Sequence, residues 1–312
     1  GIIEVGPQSG AVAWTSEGGA NTTAITQDLL GPTVRIPVAS TAGFVVGEYI
    51  IVRADPGDAW ALEHKEPDWV GFGGSYGRFL YYRQIVSIDA ASKTIEIDIP
   101  TRYALKTRDN ARIYKKNNQV SEVGLEDFSI GNAQHGGTAW GENEFDTQGT
   151  GAYDVHGSFA LEFGRVRDGW VRRVRTFQPS GNTTTCHLLS NGILITECRG
   201  VTVTDCHFQR PQYGGGGGNG YMFRISNAND CLIVNSVAEF SRHGLVFSGM
   251  AASGNVLHQC VDKNTGKATG NTGSYDTSGK SSDHHQHFSH ANLIDVCTAD
   301  DSWFEARYRP FG

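Results

Sequence analysis

Charge is scarce in this chain. Only 19% of its 312 residues are Asp, Glu, Lys or Arg, and they leave a net charge of −7. There is no basic stripe of the kind a phosphate backbone demands, so nucleic acid is not an expected partner. No apolar run reaches the roughly 18 residues of a membrane-spanning helix, so no membrane partner is expected either. Long amphipathic stretches of helical period are missing as well. The chain starts at Gly1 without a Met and has no signal-peptide pattern. It stops at Arg309-Pro310-Phe311-Gly312, just past a strand-like run and with no closing cap. The expectation is a processed protein or a fragment, with a further segment of the same protein after Gly312.

What the chain has instead is glycine, 40 residues of it. That composition favours many short strands joined by turns. A cassette recurs through the second half: an apolar residue, two polar residues, then a small or apolar residue. Its copies are Leu125–Phe128, Val171–Val174, Val203–Cys206, Ile233–Ser236, Leu257–Cys260 and Ile294–Cys297. Most follow a Gly, Asn or Asp. Repeats at intervals of roughly 24 to 46 residues with variable insertions predict a solenoid.

A second column aligns beside the first: Ile193–Thr196, Tyr221–Arg224, Leu245–Ser248, Gln286–Ser289 and Phe304–Arg307. Strand alternation then stacks Phe223, Phe247 and Phe288 inward. It turns Leu194, Met222, Val246, His287 and Glu305 outward, with Thr196, Arg224, Ser248, Ser289 and Arg307. Of the six cysteines, Cys206, Cys260 and Cys297 share one cassette position and predict an interior ladder of free thiols. A bridge from Cys186 to Cys198 or Cys231 stays open.

The organisation reads as a lead-in segment (1–32), a β-rich subdomain packed on the solenoid (33–116) and a parallel β-helix (117–312), incomplete at its C terminus. Within the subdomain, Thr33–Val38, Glu48–Arg53, Tyr81–Ile88, Thr94–Ile99 and Ala111–Lys115 read as strands. Loops at 131–150, 210–220 and 265–282 interrupt the solenoid. From Val120 to Gly312 the rungs resemble the right-handed parallel β-helix proteins of the pectate-lyase-like superfamily. That resemblance implies an all-β solenoid. It also implies the superfamily's range of polysaccharide lyases, glycoside hydrolases and phage tailspikes. No complete catalytic motif of any one member is present, so no family residue is carried over.

The stretch Asp283–His290 holds four histidines and an aspartate. It reads as a polar rung, a metal site of unknown ion, or a place where His287 moves a proton. Asp300, Asp301 and outward Glu305, with Asp283 a rung earlier, supply the two carboxyl groups that glycosidic hydrolysis needs. A row of turns through Arg210, Phe240, Lys263 and Asp300-Asp301, with Arg242 and His243 beyond, suits an extended glycan. Arg165, Arg167, Arg172, Arg173 and Arg175 read as a charge-compensated ladder against Glu126, Asp127 and Asp205. Tyr213, before five glycines, offers a ring face to a sugar.

The leading expectation is an extracellular or cell-surface enzyme that cleaves glycosidic bonds in a polysaccharide, by hydrolysis. Asp283, Asp300, Asp301 and Glu305 are then the acid/base candidates, assisted by His243 and His287. Arg224, Arg307, Arg242, Arg210, Lys263 and Tyr213 hold substrate. The rival is a β-eliminating lyase on a uronic-acid polymer, with His243 or His287 as base and an Arg as neutraliser. No cofactor is required, although Ca²⁺ could take the place of that Arg through carboxylate oxygens. From another class comes a non-catalytic, glycan-binding or tailspike-like structural solenoid.

Overall fold

The computed structural model describes residues 1–7, 13–17, 21–72, 77–266 and 281–306. Three parallel sheets carry the second half of the chain. The front sheet stacks seven strands: Ile3–Val5, Phe159–Gly164, Asn191–Thr196, Tyr221–Ser226, His243–Ser248, Ser282–His285 and Phe304–Glu305. A side sheet runs from Gly124–Glu126 to Leu293–Asp295, and a back sheet from Ser129–Ile130 to Thr298–Asp300. Each rung passes front, side, back and returns to the front one register higher. Parallel crossovers take the right hand. The molecule is a right-handed parallel β-helix.

The cassette register is the register of the side sheet. Leu125, Val171, Val203, Ile233, Leu257 and Ile294 lie opposite one another in that order. The third residue of each copy turns the corner into the back sheet. Asp127, Arg173, Asp205, Asn235, Gln259 and Val296 all adopt left-handed backbone, with φ between 48° and 65°. The back-to-front corner uses the same device at Arg210, Phe240, Asn264 and Asp301. Asn and Asp accept this conformation readily because a short polar side chain can bond locally.

Inside the coil, Leu161, Phe163, Ile193, Ile195, Phe208, Phe223, Ile225 and Phe247 join one apolar core. Each such side chain contributes about 1.5–3 kcal/mol on burial. Cys206, Ser236 and Cys260 stack within it, and Cys297 packs against its end. All six cysteines are free, so the Cys186 bridge is not formed. Cys198 and Cys231 lie on successive front-to-side corners, and Cys186 lies in a back-to-front loop.

The front-sheet alignment read from sequence needs correction. Phe223 pairs with Ile193 and Leu245, whereas Phe247 pairs with Ile225 and His284. Phe288 leaves the column and packs on the core of the β-rich subdomain. Met222 is in the solenoid core beside Phe223. This strand therefore turns two consecutive residues inward, which simple alternation does not allow for, and it sends Tyr221 to the outer surface.

The antiparallel sheet orders Thr22–Ala24, Arg112–Lys115, Tyr49–Ala54, Phe79–Asp89, Thr94–Ile97 and Arg35–Pro37. It enters the solenoid between Val5 and Val120, where the front sheet turns towards the side. The same corner of later rungs receives it. Asn229 Oδ1 accepts from the Tyr82 amide at 2.7 Å, and Asp230 pairs with Arg83 at 2.9 Å and Arg102 at 2.7 Å. Among the described residues no helix is long and apolar enough to cross a membrane.

Candidate functional site

The outer surface of the front sheet carries three short columns. One is Asn191, Tyr221 and His243. The central one reads Glu4, Glu162, Leu194, Arg224, Val246, Asp283 and Glu305. The third is Gly164, Thr196, Ser226, Ser248 and His285. Of these, Tyr221, Arg224, Ser226, Ser248 and His285 line a groove of about 650 Å³, while Asn191, His243, Val246 and Asp283 are buried. Gly77 and Met250 stand on the subdomain side, and Gly217 and Gly218 stand on the other.

At its centre the groups are bonded in series. His285 Nδ1 lies 2.9 Å from Asp283 Oδ2, and its Nε2 lies 3.1 Å from the Tyr221 hydroxyl. An Nδ1–H donated to the carboxylate leaves Nε2 to accept from the phenol. Arg242 donates to the same hydroxyl at 3.5 Å, and both Arg224 and Arg242 lie against the Tyr221 ring. His243 donates from Nδ1 to the Ser281 carbonyl at 2.5 Å. Burial pushes its imidazole down to about 3, so it is neutral. Burial also raises the Tyr221 phenol and lowers the His287 imidazole.

Arg224 is the unusual cation. Its guanidinium is largely withdrawn from water, and this desolvation lowers its pKa. It donates to Ser248 Oγ at 3.1 Å, and among the described residues it forms no ion pair. Its Nε has no hydrogen-bond partner among the described residues. The charge of Asp283 favours the guanidinium at a distance, and a cation so placed, with no ion pair among the described residues, is a ready site for an anion.

His243, Asp283 and His285 each bring a donor atom to within 4.8 Å of the others. Two imidazoles and one carboxylate suit a nitrogen-seeking divalent ion rather than Ca²⁺, which takes six to eight oxygens.

The other sequence candidates fall elsewhere. Asp300 is exposed on the back sheet, 3.8 Å from Lys263, which in turn lies 4.0 Å from Glu239. Asp301 sits in the back-to-front corner. Neither reaches the groove floor, because the strand before them belongs to another face. Glu305 does continue the groove column, paired in register with Asp283. Arg210 stacks its guanidinium 3.9 Å over the Phe240 ring at the corner. Tyr213 is wholly buried and donates to the carbonyls of Gly141 and Glu142, pinning two loops together. His287 lines the groove against the edge of Trp69. Arg242 lines it too, 3.6 Å from Glu142. Arg307 lies outside the described residues. The arginine ladder forms as expected, with Arg172 on Glu126 and Arg173 on Asp127.

Sequence reasoning passed over Tyr221 as a site residue and took His285 only within the histidine run. The available signal was that Tyr221 and His243 each open a front strand, so both share one outer column.

Fold and groove together define a parallel β-helix with a polar, cation-bearing cleft across its front sheet. No protein-family model matches the chain, and no curated protein does. Among solved structures it is similar to the tailspike protein gp49 from Pseudomonas phage LKA1, at 12% identity and TM-score 0.44. It is also similar to the gp54 tailspike of Acinetobacter baumannii bacteriophage AP22, solved in complex with A. baumannii capsular saccharide, at 9% identity and TM-score 0.44. A third is the tailspike gp61 of Pseudomonas phage phi297, at 8% identity and TM-score 0.29. Each alignment covers 90% of this chain but only 46%, 46% and 57% of the respective tailspikes.

Proposed function

We propose that the front-sheet groove binds an anionic polysaccharide outside the cell and cleaves it by β-elimination. The observation that carries this reading is Arg224, a half-buried guanidinium without an ion pair among the described residues, beside the Asp283–His285–Tyr221 series. A uronate carboxylate on Arg224 acidifies the neighbouring C–H by stabilising the enediolate that forms. The Tyr221–His285 pair takes that proton, and Asp283 holds the imidazole in the accepting tautomer. The C–O bond to the leaving sugar breaks as a C=C bond forms in the sugar ring. The proton ends on the leaving oxygen.

One observation favours hydrolysis instead: Asp283 and Glu305 are register neighbours on the groove column. Two carboxyl groups so placed match the pair a glycosidase uses. The experiment is a polysaccharide panel followed for both absorbance of the unsaturated product and new reducing ends. Elimination yields both signals, and Arg224→Ala and His285→Gln abolish them. Reducing ends without absorbance overturn elimination in favour of hydrolysis. Binding without either signal overturns both in favour of a non-catalytic glycan-binding solenoid.

A further inference from the structure

His243, Asp283 and His285 make one more kind of site than the proton relay just described. Asp283 and His285 stand two residues apart on the strand Ser282–His285, so strand alternation turns both to one face. His243 comes from the first position of the adjacent strand His243–Ser248. One donor atom from each lies within 4.8 Å of the other two, and His285 Nδ1 is 2.9 Å from Asp283 Oδ2. Donors around a tetrahedral zinc ion stand about 3.3 Å apart, so side-chain movement of about 1.5 Å at the widest pair closes the cluster on an ion. The imidazoles are held as ligands are. With its Nδ1–H on the Ser281 carbonyl, His243 keeps its lone pair on Nε2. The Tyr221 hydroxyl lies 3.1 Å from His285 Nε2 and accepts from an Nε2–H there when Nδ1 carries the ion. Partners of this sort orient metal-bound histidines. His243 and Asp283 are buried, and His285 lines the groove, which gives an ion its way in.

The His285 ring cannot serve an ion and the substrate at once. A neutral imidazole has one lone pair. Bound to an ion through either nitrogen, His285 no longer has that pair to offer the Tyr221 proton. The ion also draws the Asp283 carboxylate away from the ring that it orients. We infer that the cluster binds a single divalent transition ion of the zinc class, and that this ion switches off elimination in the groove. The ion site stands on the cluster itself; the switch rests on the elimination reading.

The test titrates zinc chloride alone into the full, tag-free, EDTA-treated chain by calorimetry. A single ion per chain is expected, and His243→Gln and His285→Gln are each expected to weaken it at least about tenfold. Cys297→Ser, which removes a half-buried thiol elsewhere, is expected to leave it unchanged. Circular dichroism of each metal-free variant checks the fold, and His285→Gln, at the groove, reads the cluster even if the buried His243→Gln does not fold. No binding, or binding that the folded histidine variants leave unchanged, overturns the site. On any polysaccharide that the metal-free chain cleaves, saturating Zn²⁺ is expected to cut the unsaturated product at least about a hundredfold, and EDTA to restore it. Undiminished product from the zinc-bound chain overturns the switch and leaves the ion site. If the metal-free chain eliminates nothing, the elimination reading fails and the switch with it, while the calorimetry still decides the site.

Discussion

Single side chains in this fold are sorted by whether they face the coil or the water, and their chemistry follows. Burial raises the thiols of Cys198 and Cys206, to about 12 and about 11. Cys297 is only half-buried and is brought down to about 6 by a hydrogen bond from the Cys260 thiol. In the native protein near neutral pH, iodoacetamide should therefore label Cys297 first, because the thiolate is the nucleophile. Peptide mapping that found Cys198 modified before Cys297 would contradict this. His243 makes a prediction in pH. Its folded-state value of about 3 lies below the ordinary 6.5. Between those values the unfolded chain binds a proton that the folded chain refuses, so stability is lost as pH falls from about 6.5 towards 3. The loss is on the order of 5 kcal/mol from this group. His290, lowered to about 4 by burial, adds to it in the same direction. Thermal unfolding across this range should flatten in His243→Gln; an unchanged slope would remove His243 as a cause.

Among the elements, the side sheet was legible in the sequence and the front sheet was only partly so. The cassette is short, has no internal irregularity and ends on a corner of fixed geometry, so its register could be counted from Leu125 to Ile294. The front strand Tyr221–Ser226 turns Met222 and Phe223 both inward. That breaks the period of two, and the long loop after Asn264 moved the next strand four residues from where it was aligned. The result put His287 in the place that Asp283 holds and Ser289 in the place that His285 holds. Asp283 and Glu305 are each the second residue of paired strands, a register that the alignment of Gln286–Ser289 does not contain. Tyr221 was missed, since nothing local distinguishes an outward tyrosine from a core one. The corner that the cassette did reveal offers its own test. Val296 is β-branched, holds φ 52° and is 67% exposed. Left-handed backbone costs such a residue about 1–2 kcal/mol. Val296→Asn should therefore raise stability by about 1 kcal/mol in urea unfolding. A lower midpoint would show that the side chain contributes packing that outweighs the strain.

At the scale of the molecule, the antiparallel subdomain is held to the solenoid by a buried charge cluster. The Arg83 side chain is fully buried and paired with Asp230. Removing Asp230 as Ala leaves that guanidinium uncompensated and should cost about 3–5 kcal/mol. Asp230→Ala combined with Arg83→Met should recover part of the loss; a denaturation midpoint no better than the single variant would refute the pairing as its cause. The left-handed corners carry a different consequence. The side-to-back corners take one such residue each, while the chain leaves at the other bends and comes back with the faces on either side still in register. The subdomain between Val5 and Val120 and the loop pinned by Tyr213 are two such departures, at different bends of the coil. The bends act as splice points. The walls of the cleft come from these departures and its floor from the coil, so a change of loop can reshape the cleft without a change of rung.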